Sequence, residues 1–116
     1  MQIFEPRDVI KVPFPYADRP VRERRPALVV SSGRLQADHG LLWVLMITSL
    51  TNRAWLDDVA VSDLSHSGLP SPSVVRTAKI ATIEAKESEH IGKLPEADWI
   101  KVCKQIESRL AVCLPD

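Results

Sequence analysis

Arginines and hydroxyls are the groups this sequence offers to chemistry. The stretch Asp18-Arg19-Pro20-Val21-Arg22-Glu23-Arg24-Arg25 sets four arginines against two carboxylates. A guanidinium stays protonated, and its planar fork can hold two phosphate oxygens. Charge runs are also the usual composition of a solvated hairpin loop. Tyr16, Phe14 and Trp55 offer aromatic faces on which unpaired bases stack; each also suits a core, the reading we favour for Phe14. Metal chemistry is not expected, because His39, His66 and His90 are scattered and none stands at ligand spacing to a cysteine. His66 falls in a Ser/Gly/Pro run and reads as a surface loop residue. Cys103 and Cys113 lie ten positions apart in one helical stretch, about 15 Å along its axis. They cannot pair, and are expected as buried apolar thiols.

The elements that must position these groups fit one domain over residues 1–116, long enough to bury a core without staples. A formal net charge of zero argues against nonspecific adhesion to nucleic acid by the whole surface. Hydrophobic residues at 45% and charged residues at 26% are those of a soluble globule. No apolar run approaches the ~20 residues that span a bilayer, and Met1-Gln2-Ile3-Phe4-Glu5-Pro6 lacks a signal-peptide layout. A cytoplasmic protein without membrane contact is expected.

Asp8 to Val12 is a β-branched run closed by Pro13 and Pro15 and predicts a first strand. Pro26 to Ser32 predicts a second, ended by Gly33. Leu41 to Thr48 is apolar almost throughout and predicts a central strand covered on both faces. Asp58 to Ser62 and Ser73 to Ile83 predict a fourth and a fifth strand, joined by a turn-rich Ser65–Pro72 segment. Trp99, Cys103, Ile106, Leu110 and Cys113 recur at steps of four and three, one stripe of a helix that Pro95 opens and Pro115 follows. Alternation puts Arg25 in phase with Ala27 and Val29, Thr48 with Val44 and Met46, and Arg76 with Val74, Ala78 and Ile80. Arg25 and Thr48 thus sit where apolar strand faces run out, as a site at a barrel rim would be built. Thr48 also fits a strand-capping hydroxyl bonded to nearby backbone, Arg76 a stem snorkelling along the sheet, and Asp8 a group satisfying turn backbone. The class is mainly β with a C-terminal helix, a small curled sheet or barrel.

The phrases DVIKVPFPYAD (8–18), RRPALVVSS (24–32), LMITS (45–49), GLPSPSVVRTAKIATI (68–83) and IGKL (91–94) occur in one order across nearly the whole chain. In that order they resemble the MazF/PemK toxins of type II toxin-antitoxin systems. The resemblance implies an SH3-like small barrel, a homodimer whose interface forms an RNA groove, sequence-selective cleavage of single-stranded RNA and a MazE/PemI-like antitoxin partner. It implies working roles for Arg25, for Thr48 or Ser49, and for Arg76; the basic patch and the aromatic faces noted above add Arg19, Arg22, Arg24, Tyr16 and Trp55 as candidate RNA contacts. Three positions depart from the family pattern. Arg7 replaces the usual glycine, Ala17 a hydroxyl residue, and Ala78 an aspartate expected two residues after Arg76.

RNA cleavage of this kind uses the adjacent 2′-hydroxyl as nucleophile and needs no metal or cofactor. The expected products are a 2′,3′-cyclic phosphate and a 5′-hydroxyl. Arg25 suits stabilisation of the phosphorane-like transition state and is a poor proton acceptor. Two other classes compete. One is a gyrase inhibitor of the CcdB type, which shares the barrel and dimer, but the helix end here lacks the Trp and Gly residues expected of it. The other is a non-catalytic RNA- or antitoxin-binding module, to which Ala78 lends weight.

Overall fold

The computed structural model describes residues 2–13 and 23–111. Six antiparallel strands form one curled sheet, a half-barrel closed off by a C-terminal helix. The strands are β1 (Asp8–Pro13), β2 (Arg24–Val29), β3 (Leu41–Ser49), β4 (Val59–Ala60), β5 (Ser73–Glu84) and β6 (Glu89–Lys93). Their order across the sheet is β4-β5-β3-β2-β1-β6, which makes β3 central as its unbroken apolar sequence requires. Helices α1 (Gly33–His39), α2 (Leu64–Ser67) and α3 (Glu96–Arg109) fill the connections and the end. Among the described residues no helix is long and apolar enough to cross a membrane.

Both faces of the sheet carry buried side chains. Ile10, Val12, Ala27, Val29, Val44 and Met46 join Phe4 and Ala85 on one face. Val9, Leu28, Leu45, Ile47 and Val75 pack on the other against Leu94 and Val102, with Trp99 and Ile106 of α3 at the margin. Truncating one such residue, Leu45 for example, to Ala would cost about 2–5 kcal/mol. The helix buries Val102 and Asp98 most deeply. Asp98 is accommodated because its Oδ2 accepts from the Ser62 amide at 2.8 Å and the Ser62 hydroxyl at 2.9 Å, tying α3 to the end of β4.

Several sequence expectations change at this level. The second strand spans 24–29 and the fourth only 59–60. Residues 33–39 form a helix, with Ser32 before it and Gly40 behind it at φ 68°, the αL termination that glycine favours. Gly33 therefore opens a helix. Asp63 caps α2 by accepting from the His66 amide at 3.0 Å, and His66 itself is exposed. The sixth strand, which carries Ile91, Gly92 and Lys93 of IGKL, has no clean alternation to announce it. The last helix stops at Arg109, with Leu110 beyond it 58% exposed, so the expected stripe ends at Ile106. Cys103 is only half-buried, not the core thiol expected. Burial nonetheless pushes its thiol pKa up, and the Glu107 carboxylate adds to the effect. Cys113 lies outside the described residues.

Arg7, where the family resemblance led us to expect glycine, has φ 79°, in the left-handed region that glycine favours. Its guanidinium offsets the strain by donating twice to the Leu94 carbonyl, at 3.1 and 2.9 Å. Asp8 satisfies turn backbone, accepting from the Glu5 amide at 2.8 Å.

Candidate functional site at the parting of two strands

Strands β2 and β3 pair from Val29↔Val44 to Ala27↔Met46 and then stop. Continued by two residues, the same register would set Arg25 opposite Thr48. The strands part there instead. The cleft they open, about 320 Å³, is lined by Arg24, Arg25, Ile47, Thr48 and Ser49, with Lys11 of β1 and the Gly68–Ser71 loop on its rim. The loop is held close by two glycines. A Cβ on Gly68, which has φ 73°, would collide with the Ile91 carbonyl, and one on Gly92 with the Ser67 carbonyl. The phrase GLPSPS at Gly68–Ser73 is thus a wall of the cleft.

Two of the lining side chains carry donors with few partners among the described residues. Arg25 is in contact with Glu23 at 3.4 Å through Nη1, its side chain 30% exposed. Its buried Nε has no hydrogen-bond partner among the described residues. A buried N–H left so is unfavourable by about 1–3 kcal/mol, which a bound acceptor would recover. Thr48 is 4% exposed, and its Oγ1 accepts from the Asn52 side-chain amide at 2.6 Å. That partner is a side chain four residues on, not the strand-capping backbone considered above. Ser49 shares its hydroxyl with Thr51 at 2.9 Å. Arg24 is exposed and donates to the Lys11 carbonyl at 3.1 Å, with Glu89 at 3.7 Å.

Arg76 has a different setting. It partners Met46 across β3 and β5, while the next β3 residue, Leu45, partners Ile80; Thr77, Ala78 and Lys79 bulge between them. Simple alternation past Arg76 therefore fails, since Arg76 and Ile80 oppose adjacent residues of β3 and lie on opposite faces. The guanidinium turns toward the β3–β4 loop. Nε donates to Asp58 Oδ1 at 3.3 Å, and Nη2 to Asp58 Oδ2 at 3.0 Å and to the Arg53 carbonyl at 2.8 Å. Trp55 covers its face, with the guanidinium carbon 4.4 Å from the ring centroid. Both charged side chains are 9% exposed. Asp58 is the carboxylate that Ala78 does not supply, and composition gave no sign of it because it arrives from the β3–β4 loop, 18 residues from Arg76 in sequence. Ala78 is exposed beyond the bulge, beside Arg53, Trp55 and Arg109.

The structure thus brings Arg25, Thr48, Ser49 and Arg24 together, and separates Arg76 and Trp55 from them as a neighbouring clasp. Tyr16, Arg19 and Arg22, together with Phe14 and Ala17, lie outside the described residues. Asn52 was missed in the sequence, where an Asn in a Thr-Asn-Arg turn carries no signal beyond turn composition. A larger hollow of about 480 Å³ by Gln2, Phe4 and Gln36 offers less. The buried Gln36 amide there is spent on the Phe4 amide and the Gln2 carbonyl. Among the described residues no group of three His, Cys, Asp or Glu is placed to hold a metal ion.

Solved structures share this architecture. MazF from Deinococcus radiodurans superposes with a TM-score of 0.76 at 19% identity, over 93% of this chain and 96% of that one. The Mycobacterium tuberculosis toxin MazF-mt6 gives 0.69 at 23% identity, over 88% and 94%. An endoribonuclease in complex with its cognate antitoxin from a mycobacterial species gives 0.71 at 16% identity, over 99% and 100%. No curated protein sequence matches the chain. The family profile described as PemK-like, MazF-like toxin of type II toxin-antitoxin system matches residues 5–110, and the chain belongs to that family.

Proposed function

We propose that the protein is a metal-independent endoribonuclease that cuts single-stranded RNA in the cleft between β2 and β3. In this reading it acts as the toxin of a type II system, a cytoplasmic homodimer neutralised by a MazE/PemI-like antitoxin. The observation that carries it is that one cleft is lined by both Arg25, whose buried Nε has no hydrogen-bond partner among the described residues, and Thr48, whose hydroxyl oxygen accepts from Asn52. An arginine and a hydroxyl lining one cleft can receive an anion, and a phosphodiester in transit to a phosphorane gathers charge on its oxygens. Arg25 stabilises that charge and Thr48 adds a neutral hydrogen bond to it. The 2′-oxygen bonds to phosphorus as the bond to the 5′-oxygen breaks. The described residues lining the cleft include no histidine or carboxylate. In this proposal the 2′-hydroxyl proton leaves to water, and water supplies the proton taken up by the 5′-oxygen. Rate acceleration rests on alignment and charge stabilisation.

The antitoxin partner is supported by the family and by the mycobacterial endoribonuclease whose structure includes its antitoxin. Asp58 weakens the binding-module alternative, because the carboxylate whose absence suggested it is present at Arg76 from the β3–β4 loop. The test is incubation of purified protein with mixed-sequence single-stranded RNA in excess EDTA. Cyclic phosphate and 5′-hydroxyl ends are expected. Cutting that appears only with added magnesium would overturn the mechanism, and antitoxin binding without any cutting would overturn the enzyme reading.

A further inference from the structure

We infer that Asn52 is a positioning residue that fixes the Thr48 hydroxyl as a hydrogen-bond donor to the phosphate. The inference rests on the cleavage reading above and concerns a residue that reading does not use.

The Asn52 Nδ2 group lies 2.6 Å from Thr48 Oγ1. An amide nitrogen can only donate, so the hydroxyl oxygen accepts and its own proton must point elsewhere. Thr48 is 4% exposed, lines the cleft, and has no acceptor for that proton among the described residues. The proton is thereby left for an acceptor bound in the cleft that Thr48 lines. A hydroxyl free to rotate would present a lone pair to the phosphate part of the time and repel it. One held by Asn52 adds its proton to the Arg25 Nε–H, in place before the reaction begins.

The turn carrying Asn52 is itself fixed on several sides. The Asn52 amide donates to the Ser49 carbonyl at 3.0 Å, and the Leu50 amide to the Pro72 carbonyl at 3.0 Å. The next residue is held from β5, since the Arg53 carbonyl accepts from Arg76 Nη2 at 2.8 Å. Arg76 is locked in turn by Asp58 and Trp55. The buried ion pair thus acts on the cleft through Asn52, a chain of contacts from Arg76 through Arg53 and Asn52 to Thr48.

Asn52→Asp tests this with almost no change of shape, because a carboxylate can only accept and would draw the Thr48 proton out of the cleft. In single-turnover cleavage the rate should fall about 100-fold, the range seen when one transition-state donor is lost. RNA affinity, measured with a 2′-deoxy substrate, and Tm should stay near wild type. Asn52→Ala, which frees the hydroxyl to rotate, should fall less. Asn52→Asp should recover relative to wild type as pH drops toward about 4, where the acid regains a proton to donate. Added to Thr48→Ala it should cause no further loss, because its effect passes through that hydroxyl. Wild-type rates for Asn52→Asp would overturn the inference, as would an equal loss in the Thr48→Ala background. Wild type, Arg25→Ala and Thr48→Ala on the same RNA keep the two readings apart. Inactive wild type, or Thr48→Ala as fast as wild type, would overturn the cleavage reading and this inference with it. With both controls as expected, the Asn52 variants judge the inference alone.

Discussion

Arg25 and Arg76 belong to adjacent regions of one sheet and have opposite surroundings. At the cleft, the Arg25 Nε is buried without a partner among the described residues, and the contact to Glu23 is long and partly exposed. In the clasp, Arg76 gives three hydrogen bonds, stacks on Trp55 and shares 9% exposure with Asp58. The first arrangement leaves binding capacity unspent; the second spends it on the fold. An arginine in a family position thus identifies a site only when its donors remain available. The clasp still serves the cleft, because it holds the loop that carries Asn52.

The largest effect that would sharpen this contrast is on cleavage. Arg25→Ala and Thr48→Ala should each lower the single-turnover rate by about 10²- to 10³-fold. Tm should shift by only a few degrees, since neither removal leaves a buried charge unpaired. Large losses of stability instead would place Arg25 with Arg76 and dissolve the contrast.

Next comes the clasp, read by thermal or urea unfolding. Removing one partner of a buried ion pair is destabilising by about 3–5 kcal/mol, so Arg76→Ala or Asp58→Ala should lower Tm by more than about 10 °C. Charged groups at strand ends rarely carry core stability, which from sequence alone makes both arginines dispensable for folding. Arg76 lies four residues into β5 and is buried, which reverses the expectation for it. A stable Arg76→Ala with impaired cleavage would move Arg76 to the cleft side of the comparison.

A smaller effect concerns salt. Arg24 is exposed at the cleft rim, and each phosphate neutralised on a single strand contributes a log-log slope near −0.7. Arg24→Ala should make the salt dependence of RNA binding shallower by about that amount; an unchanged slope would exclude Arg24 from the RNA path. The smallest effect is expected from Ala78→Asp. The bulge carries Ala78 to the surface and Asp58 already holds Arg76, so cleavage should change less than about tenfold, short of the 10²–10⁴ range of general acid–base help. A larger gain would mean that the clasp lacks a carboxylate after all.

The sequence by itself determined the central strand, from the unbroken apolar run 41–48, the terminal helix, from its period, and the placement of Arg25 and Thr48 at strand ends. These are local patterns, written in residues a few positions apart. It announced α1 only through Ser32 and Gly40, a signal overshadowed by the strand before it, and β6 not at all, because an edge strand exposed at one end lacks alternation. Only the tertiary structure decided that the β2–β3 ladder stops two residues short and opens a cleft, and that three extra residues in β5 turn Ala78 away from Arg76. It also brought in Asp58 as the carboxylate and set Asn52 against Thr48. Each of these depends on register or on a turn's path across strands, and pairing between distant segments follows from the packing of the whole sheet, which no short window of sequence contains.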